Sequence, residues 1–357
     1  DALPIFEVAY RLELEQPVIV AGRKGLADRS EDWIAGGALL GAFAALYLRE
    51  YGSGLPAHED ERFSRIFLRS GVQFGYALPA ADGKVFATAS AAWQQEKHTN
   101  RVFDLLRNTP SGKVLRNIDA MVHADYSSGK LYRHEVRKQV RMHHARAKNR
   151  AIGRALGAEP APDELPELKE LHPADRGQLY QYEAIEAGQH FCGVFRGCRE
   201  DVLLLLELAA KSDNRLRLGR SRTAEYGNVH FIPQFANCRP LLSGEPADKP
   251  SKLIALLLVT PMLLLDPFGR PDPDPAWLVQ QLEERFGCGV RLKESRLRYT
   301  MLSGYNTQWR LPKPQRSALD AGSVLILEFD RPVTSSELEN VFWGWDTGEG
   351  YGQIRAL

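Results

Sequence analysis

WIAGGALLGAFAALYLREYG, residues 33–52, follows a segment of different character, IFEVAYRLELEQPVIV at residues 5–20. In the later stretch Ile34, Ala38, Ala42, Phe43, Leu46 and Tyr47 recur at a spacing near 3.6, which predicts a helix with one buried face. Ser30 or Asp32 is placed to cap its start and Gly52 to end it. In the earlier stretch β-branched and aromatic residues partly alternate, as in a half-buried strand. Working outward, GVQFGYALP (71–79) and GKVFATAS (83–90) predict short strands around a turn at Asp82-Gly83. LYQYEAIEAGQHFCGVFRG (179–197) reads as one long strand with turn-forming glycines. EDVLLLLELAAK (200–211) reads as a helix, and NRLRLGRSRTAEYGNVHFIP (214–233) as strand, loop and strand.

The same order restarts further on. LIALLLVTPMLLL (253–265) predicts a buried strand, and Asp274 with Pro275 opens the helix AWLVQQLEERFG (276–287). Strands follow in VRLKESRLRYTML (290–302), in the segment on to Trp309 and in SVLILEFD (323–330), then a helix in SSELENVFWGW (335–345). DTGEGYGQIRAL (346–357) is a Gly-rich turn into a last strand. Each half therefore reads strand, helix, strands, helix, strand, the split βαβ pattern. The predicted fold class is α+β, with two tandem ferredoxin-like domains over residues 1–235 and 250–357, divided in the Pro- and Gly-rich stretch 234–252. Residues 90–178 interrupt the first half and read as a large insertion. Within it Lys130–Arg150 carries eight Lys or Arg and one acid, Glu135. Arg133, Arg137 and Arg141 stand four residues apart, which predicts a helix with a basic stripe. Glu159–Glu170 is acidic and Pro-rich, and the insertion as a whole is expected to be too polar to form a core.

Composition narrows the function. Of 357 residues, 44% are hydrophobic and 25% charged, so the chain is neither disordered nor fibrous, and each half is long enough to bury a core. Lys and Arg number 46 against 45 Asp and Glu, so nucleic-acid binding would need locally segregated charge. Cys192, Cys198, Cys238 and Cys288 form no C-x-x-C pair, which points to reduced thiols rather than a zinc knuckle or disulfide scaffold. No signal peptide is visible at the start and no apolar run approaches the roughly 20 residues of a membrane span, so a cytoplasmic protein without membrane association is expected.

The sharpest local signal is Leu218-Gly219-Arg220-Ser221-Arg222-Thr223-Ala224-Glu225-Tyr226-Gly227, with Arg215 and Arg217 before it. Glycine allows close backbone approach to phosphate, Arg forks onto phosphate or stacks on a base, and Tyr can stack or brace the loop. A solvated hairpin with surface arginines has the same composition. Gly36 and Gly37, at a helix start preceded by Arg23 and Lys24, suit either an anion or tight helix–sheet packing. Lys97-His98-Thr99-Asn100-Arg101 combines basic, stacking and hydrogen-bonding groups. The residues these patterns single out for contact with a phosphate or a base are thus Lys24, Gly36, Gly37, His98, Asn100, Arg101, Arg217, Gly219, Arg220, Ser221, Arg222, Thr223 and Tyr226. No P-loop, G-x-S-x-G or H-E-x-x-H occurs, so no catalytic residue, metal or cofactor is expected.

Trp33–Ala42 resembles the opening-helix motif of RAMP proteins in CRISPR systems, with Ala35 where that family usually has proline. Leu179–Gly197 and Arg217–Gly227 resemble its later strands and Gly-rich loop, and Glu349-Gly350-Tyr351-Gly352-Gln353 resembles the closing loop of a second RAMP domain. Their order resembles the Cas-five-like large RAMP subunit of type III-D effectors, the Csx-ten family. The resemblance implies a non-catalytic subunit of an antiviral ribonucleoprotein. It would grip the 5′ repeat-derived tag of CRISPR RNA and bridge the large polymerase-nuclease subunit to the backbone RAMP subunits. Two other readings stay open. One is a metal-free endoribonuclease trimming CRISPR precursor RNA, with His98, His134, His143 or His144 as general acid or base. The other is a standalone RNA-binding assembly protein.

Overall fold

The computed structural model describes residues 6–20, 30–52, 54, 56–99, 101–106, 110–125, 127–145, 154–155, 178–220, 225–234, 242–243, 248–306 and 311–357. The chain begins with β1 (Phe6–Leu14), whose Val8, Tyr10, Leu12 and Leu14 are buried as alternation requires. It continues into α1 (Gly36–Tyr51), where Leu39, Ala42, Phe43, Leu46 and Tyr47 are buried on the predicted face and Gly52 closes the last turn onto the Leu48 carbonyl. The start of α1 differs from expectation, because no side chain caps Ala35. Ser30 Oγ instead donates to the Glu183 carbonyl at 2.6 Å, and Asp32 pairs with Lys138 at 2.7 Å. Both candidate caps are drawn toward neighbouring strands.

Next come β2 (Val72–Phe74), β3 (Leu78–Ala81) and β4 (Lys84–Val85). Asp82 and Gly83 form the predicted turn between β3 and β4 with φ of 50° and 72°, the left-handed pair a two-residue hairpin demands. β5 (Ala87–Thr88), β6 (Trp93–Glu96), β7 (Val102–Asp104), β8 (Leu115–Asn117), β9 (Met121–Asp125), β10 (Lys130–His134), β11 (Lys138–Ala145) and β12 (Arg154–Ala155) follow. The helix expected over the basic run is therefore replaced by β10 and β11. Strand pairing decides this. β10 folds back on β9, and β11 pairs with β13 (Gln178–Ile185) from Lys138↔Ile185 to Ala145↔Gln178, overriding the four-residue charge spacing. The long strand expected over 179–197 is likewise two strands, β13 and β14 (His190–Gly197), separated at Gly188 with φ 77°. α2 (Arg199–Lys211), β15 (Arg215–Arg217), β16 (Asn228–Gln234) and β17 (Leu242–Ser243) complete this half.

The main sheet runs β15-β16-β1-β14-β3-β4, with β2 also on β14. Counting β1, β2 with β3, β14 and β16 as first to fourth, its central order is fourth, first, third, second, with every pairing antiparallel. Phe43 and Leu46 of α1 and Val202, Leu205 and Leu208 of α2 pack with Tyr10, Phe195 and Phe231 of the sheet.

The second half holds β18 (Ser251–Leu258), α3 (Ala276–Phe286), β19 (Val290–Arg296), β20 (Tyr299–Asn306), β21 (Leu311–Leu319), β22 (Val324–Val333), α4 (Ser335–Glu339) and β23 (Ile354–Ala356). Its sheet order, β19-β22-β18-β23, repeats the order of the first half, with β18 and β23 as first and fourth. Asp274 Oδ1 accepts from the Ala276 N–H at 2.9 Å, and Gly287 ends α3 in the left-handed region. α4 is far shorter than predicted. Its Thr334–Glu337 capping box starts it, and Phe342 and Trp343 then leave the helix and are buried.

A further cluster joins the halves. Val85, Phe86, Trp93, Ile118, Met121 and Val122 pack with Leu257, Val259, Leu263, Leu302 and Val324. The first part of the 90–178 stretch is therefore core-forming, contrary to the expectation from its overall polarity. The average hid the few apolar side chains on which these short strands are built. Glu159–Glu170 lies outside the described residues.

Candidate functional site

The arginine loop is clamped at both ends to the segment after β1. Leaving β15, Leu218 is buried and its N–H bonds the Gly227 carbonyl at 2.8 Å. Arg220 N–H donates to the Ile19 carbonyl at 3.1 Å, and Gly227 N–H to the Pro17 carbonyl at 2.9 Å. Glu15 and Gln16 both donate to the Asn228 carbonyl at 3.1 Å. Gly219 has φ 77°, and a Cβ there would run into the Ile19 carbonyl. Its close backbone approach is thus to the protein's own chain, which corrects the expectation that it and Gly227 make room for RNA.

Tyr226 is 2% exposed, and its hydroxyl lies 2.8 Å from His143 Nε2. Its ring meets Tyr182 edge-on at 6.4 Å. It braces the loop and offers no stacking face to a ligand. Arg141 pairs with Glu225 at 2.8 Å, so β11 grips the loop from its far side. Arg217 is exposed and Arg220 half-buried on this fixed backbone. Ser221, Arg222 and Thr223, with Lys24 and Asn100, lie outside the described residues.

Gly36 and Gly37 belong to a joint between the halves. A Cβ on Gly36 would fall within the Phe74 carbonyl, and one on Gly37 would lie 3.2 Å from Glu349 Oε2. Glu349, ion-paired with Lys313, is itself a carboxylate at this helix start, where the helix dipole favours one. The closing Gly-rich loop thus fills the position expected for an RNA phosphate, and tight packing is the role these glycines have. Around them Gln73 Nε2 donates to Thr347 Oγ1 at 3.0 Å and Tyr76 meets Tyr351 edge-on at 6.1 Å. Arg196 pairs with Glu7, donates to the Glu339 carbonyl at 2.7 Å and lies 4.9 Å over the Phe342 ring.

His98 and Arg101 are exposed in the turn between β6 and β7, a different sheet from that of the arginine loop. Arg101 and Lys113 both sit on Phe103, at 5.1 and 4.9 Å from its centroid. Two other histidines, His123 and His134, have structural settings. His123 is buried with Nδ1 2.9 Å from the Val85 carbonyl, and His134 stacks on Phe86 at 4.9 Å, where burial and then Arg137 lower its pKa. Among the described residues no three His, Cys, Asp or Glu gather as a metal site, and no helix is long and apolar enough to cross a membrane. The His143–Tyr226 link escaped sequence reading because a helix was assumed. Strand alternation groups Gln139, Arg141 and His143, and two of these three meet the loop.

This is an α+β protein with paired sheets and a braced arginine loop. The family model described as CRISPR-associated protein (Cas_Cmr3) matches residues 168–357, just over half of the chain. The chain belongs to that family. No curated protein matches it. A chain of the type III-B Cmr-beta complex bound to cognate target RNA and AMPPnP is similar at 10% identity, over 89% of this chain and 86% of that one, with a TM-score of 0.42. CRISPR associated protein Cas6 is similar at 9% identity over 99% and 100%, TM-score 0.37. The product of a Cas6-related gene from Pyrococcus furiosus is similar at 8% over 99% of each chain, TM-score 0.37. Likenesses at this level assign no residue.

Proposed function

We propose that the chain is the tag-gripping subunit of a type III CRISPR effector, of subtype III-D on its sequence resemblance to the Csx-ten family. Its partners in this reading are CRISPR RNA, the large polymerase-nuclease subunit and the backbone RAMP subunits, which it bridges in the cytoplasm without catalysing a reaction. The repeated sheet order of the two halves supports reading them as tandem ferredoxin-like domains of RAMP type. The observation that carries the proposal is the arginine loop, in which Arg217 and Arg220 sit on a backbone tied to Pro17 and Ile19 and braced by buried Tyr226. Backbone tied in this way at 218–220 presents guanidinium groups with little backbone ordering cost on binding, which suits a short, defined strand of RNA.

The test is copurification of the tagged full-length chain from its native host, followed by sequencing of bound RNA. Small RNAs sharing one 5′ repeat-derived end, together with larger protein subunits, are expected. Recovery of the chain alone, or with RNA of no common end, would contradict the proposal. Cleavage of labelled repeat RNA by the purified chain in chelator would replace it with the endoribonuclease reading.

A further inference from the structure

Outside the arginine loop the strongest unassigned feature is a cleft in the 90–145 region. It has a volume of about 480 Å³ and is lined by Val102, Gly129, Leu131 and Arg133. That size lies within the ordinary range of small-ligand sites, roughly 300–1,000 Å³. The lining residue Val102 belongs to a three-stranded sheet. Val102 of β7, Gln95 of β6 and Arg116 of β8 are cross-strand partners, so they form a row on one face. Leu131 and Arg133, two residues apart on β10, share one face of that strand and also line the cleft.

The charge across the cleft is unbalanced. Gln95 is 2% exposed, and its Nε2 donates to the Thr99 carbonyl at 2.7 Å, which fixes the orientation of the amide. Its Oε1 accepts from Arg133 at 2.8 Å and from Arg116 at 3.4 Å. Two guanidinium groups thus converge on one neutral oxygen, and among the described residues neither has a carboxylate partner. Each guanidinium has five N–H donors and is permanently charged, so most of the donors remain for a ligand. Asp104 is the carboxylate on the same face of β7, and its Oδ1 is occupied by the Leu106 N–H at 3.0 Å. Two forks held side by side by a buried neutral amide match a tetrahedral anion better than a lone carboxylate, since phosphate offers several acceptor oxygens. Val102 and Leu131 add apolar wall for a sugar or base.

We propose that this cleft is a second phosphate-binding site, that Arg116 and Arg133 are its anion ligands, and that Gln95 positions them. Its occupant is a phosphodiester of single-stranded RNA. This rests on the RNA-binding reading above, but on residues of another sheet. Free phosphate would satisfy the same chemistry, and the test separates the two sources.

The experiment titrates the full chain with fluorescent single-stranded repeat RNA at several salt concentrations. Wild type, Arg116→Gln with Arg133→Gln, and Arg217→Gln with Arg220→Gln are compared, and thermal melting confirms folding. Inorganic pyrophosphate is titrated into the first two by calorimetry. Both cleft arginines are exposed, so the variant is expected to melt as wild type does. Two lost phosphate contacts should reduce the magnitude of the log-affinity versus log-salt slope by about 1.4, at about 0.7 each for a single strand. An unchanged slope with pyrophosphate heat lost in the cleft variant would overturn RNA as occupant and assign a free phosphate. An unchanged slope with unchanged pyrophosphate heat would overturn the site itself. A reduced slope in the loop variant beside an unchanged slope in the cleft variant would sink this inference and leave the arginine loop standing. Absence of RNA binding by wild type would instead sink the function proposed above.

Discussion

Gly36 and Gly41 lie five residues apart in one helix and have opposite physical roles. A Cβ at Gly36 collides with the Phe74 carbonyl, which belongs to the backbone and cannot swing away, whereas one at Gly41 meets nothing within 4 Å. Gly36→Ala should therefore destabilise the protein by about 1–3 kcal/mol, the usual cost of overpacking. Gly41→Ala should stabilise it by up to about 1 kcal/mol through helix propensity. Urea unfolding of both variants checks this pair, and equal effects of one sign would refute it. Tyr226→Phe removes only the hydroxyl that reaches His143 and should cost about 1 kcal/mol in the same assay. The two possible roles of Gly36 and Gly37 were legible in their position at a helix start. Which role holds was not, because the closing loop that fills the space comes from residues more than 300 positions away.

At the scale of elements, sequence periodicity served best where one face is buried. α1, α2, α3 and the turn at Asp82-Gly83 all stand where their patterns placed them. It failed at β10 and β11, and in β11 the apolar signal is inverted. Val140 and Met142 are 59% and 66% exposed while Arg141 and His143 face the loop, so hydrophobicity pointed away from the packed side. The pairing partner β13 lies across a long intervening segment, and local spacing carries no trace of it. β10 also supplies a pH test. His134 has its pKa lowered, first by burial and then by Arg137. A histidine that binds its proton less readily when folded leaves stability intact above the unfolded value of about 6.5, and stability declines as pH falls below it. The melting temperature should drop between about pH 7.5 and 5.5, and the drop should be smaller in His134→Phe. Equal drops in the two proteins would contradict the assignment.

At the scale of the molecule, the repeated order of elements was visible in sequence, but the joint between the halves was not. Gly348, Gly350 and Gly352 each approach backbone or side chains so closely that a Cβ would clash, and two of the three do so across the joint: Gly348 against Ser70, and Gly350 against Phe74 and Gly75. With Arg196 on Phe342 and the shared cluster of Val85, Trp93, Leu257 and Val324, the halves should unfold together. Scanning calorimetry of the full chain should show one transition, and two resolved peaks would show that the joint is weaker than its packing indicates. The same architecture explains a chain with nearly equal acidic and basic residues. Among the described residues, charges such as Arg65 with Asp201 and Arg355 with Glu339 form internal bridges, and the arginine loop holds Arg217 exposed and Arg220 half-buried. The most direct test is the salt dependence of single-stranded repeat RNA binding by the full chain, in wild type and in Arg217→Gln with Arg220→Gln. If these side chains hold phosphates, the slope of log affinity against log salt should fall in magnitude by about 1.4 while the melting temperature stays put. Identical slopes and affinities in the two proteins would show that the loop does not grip RNA.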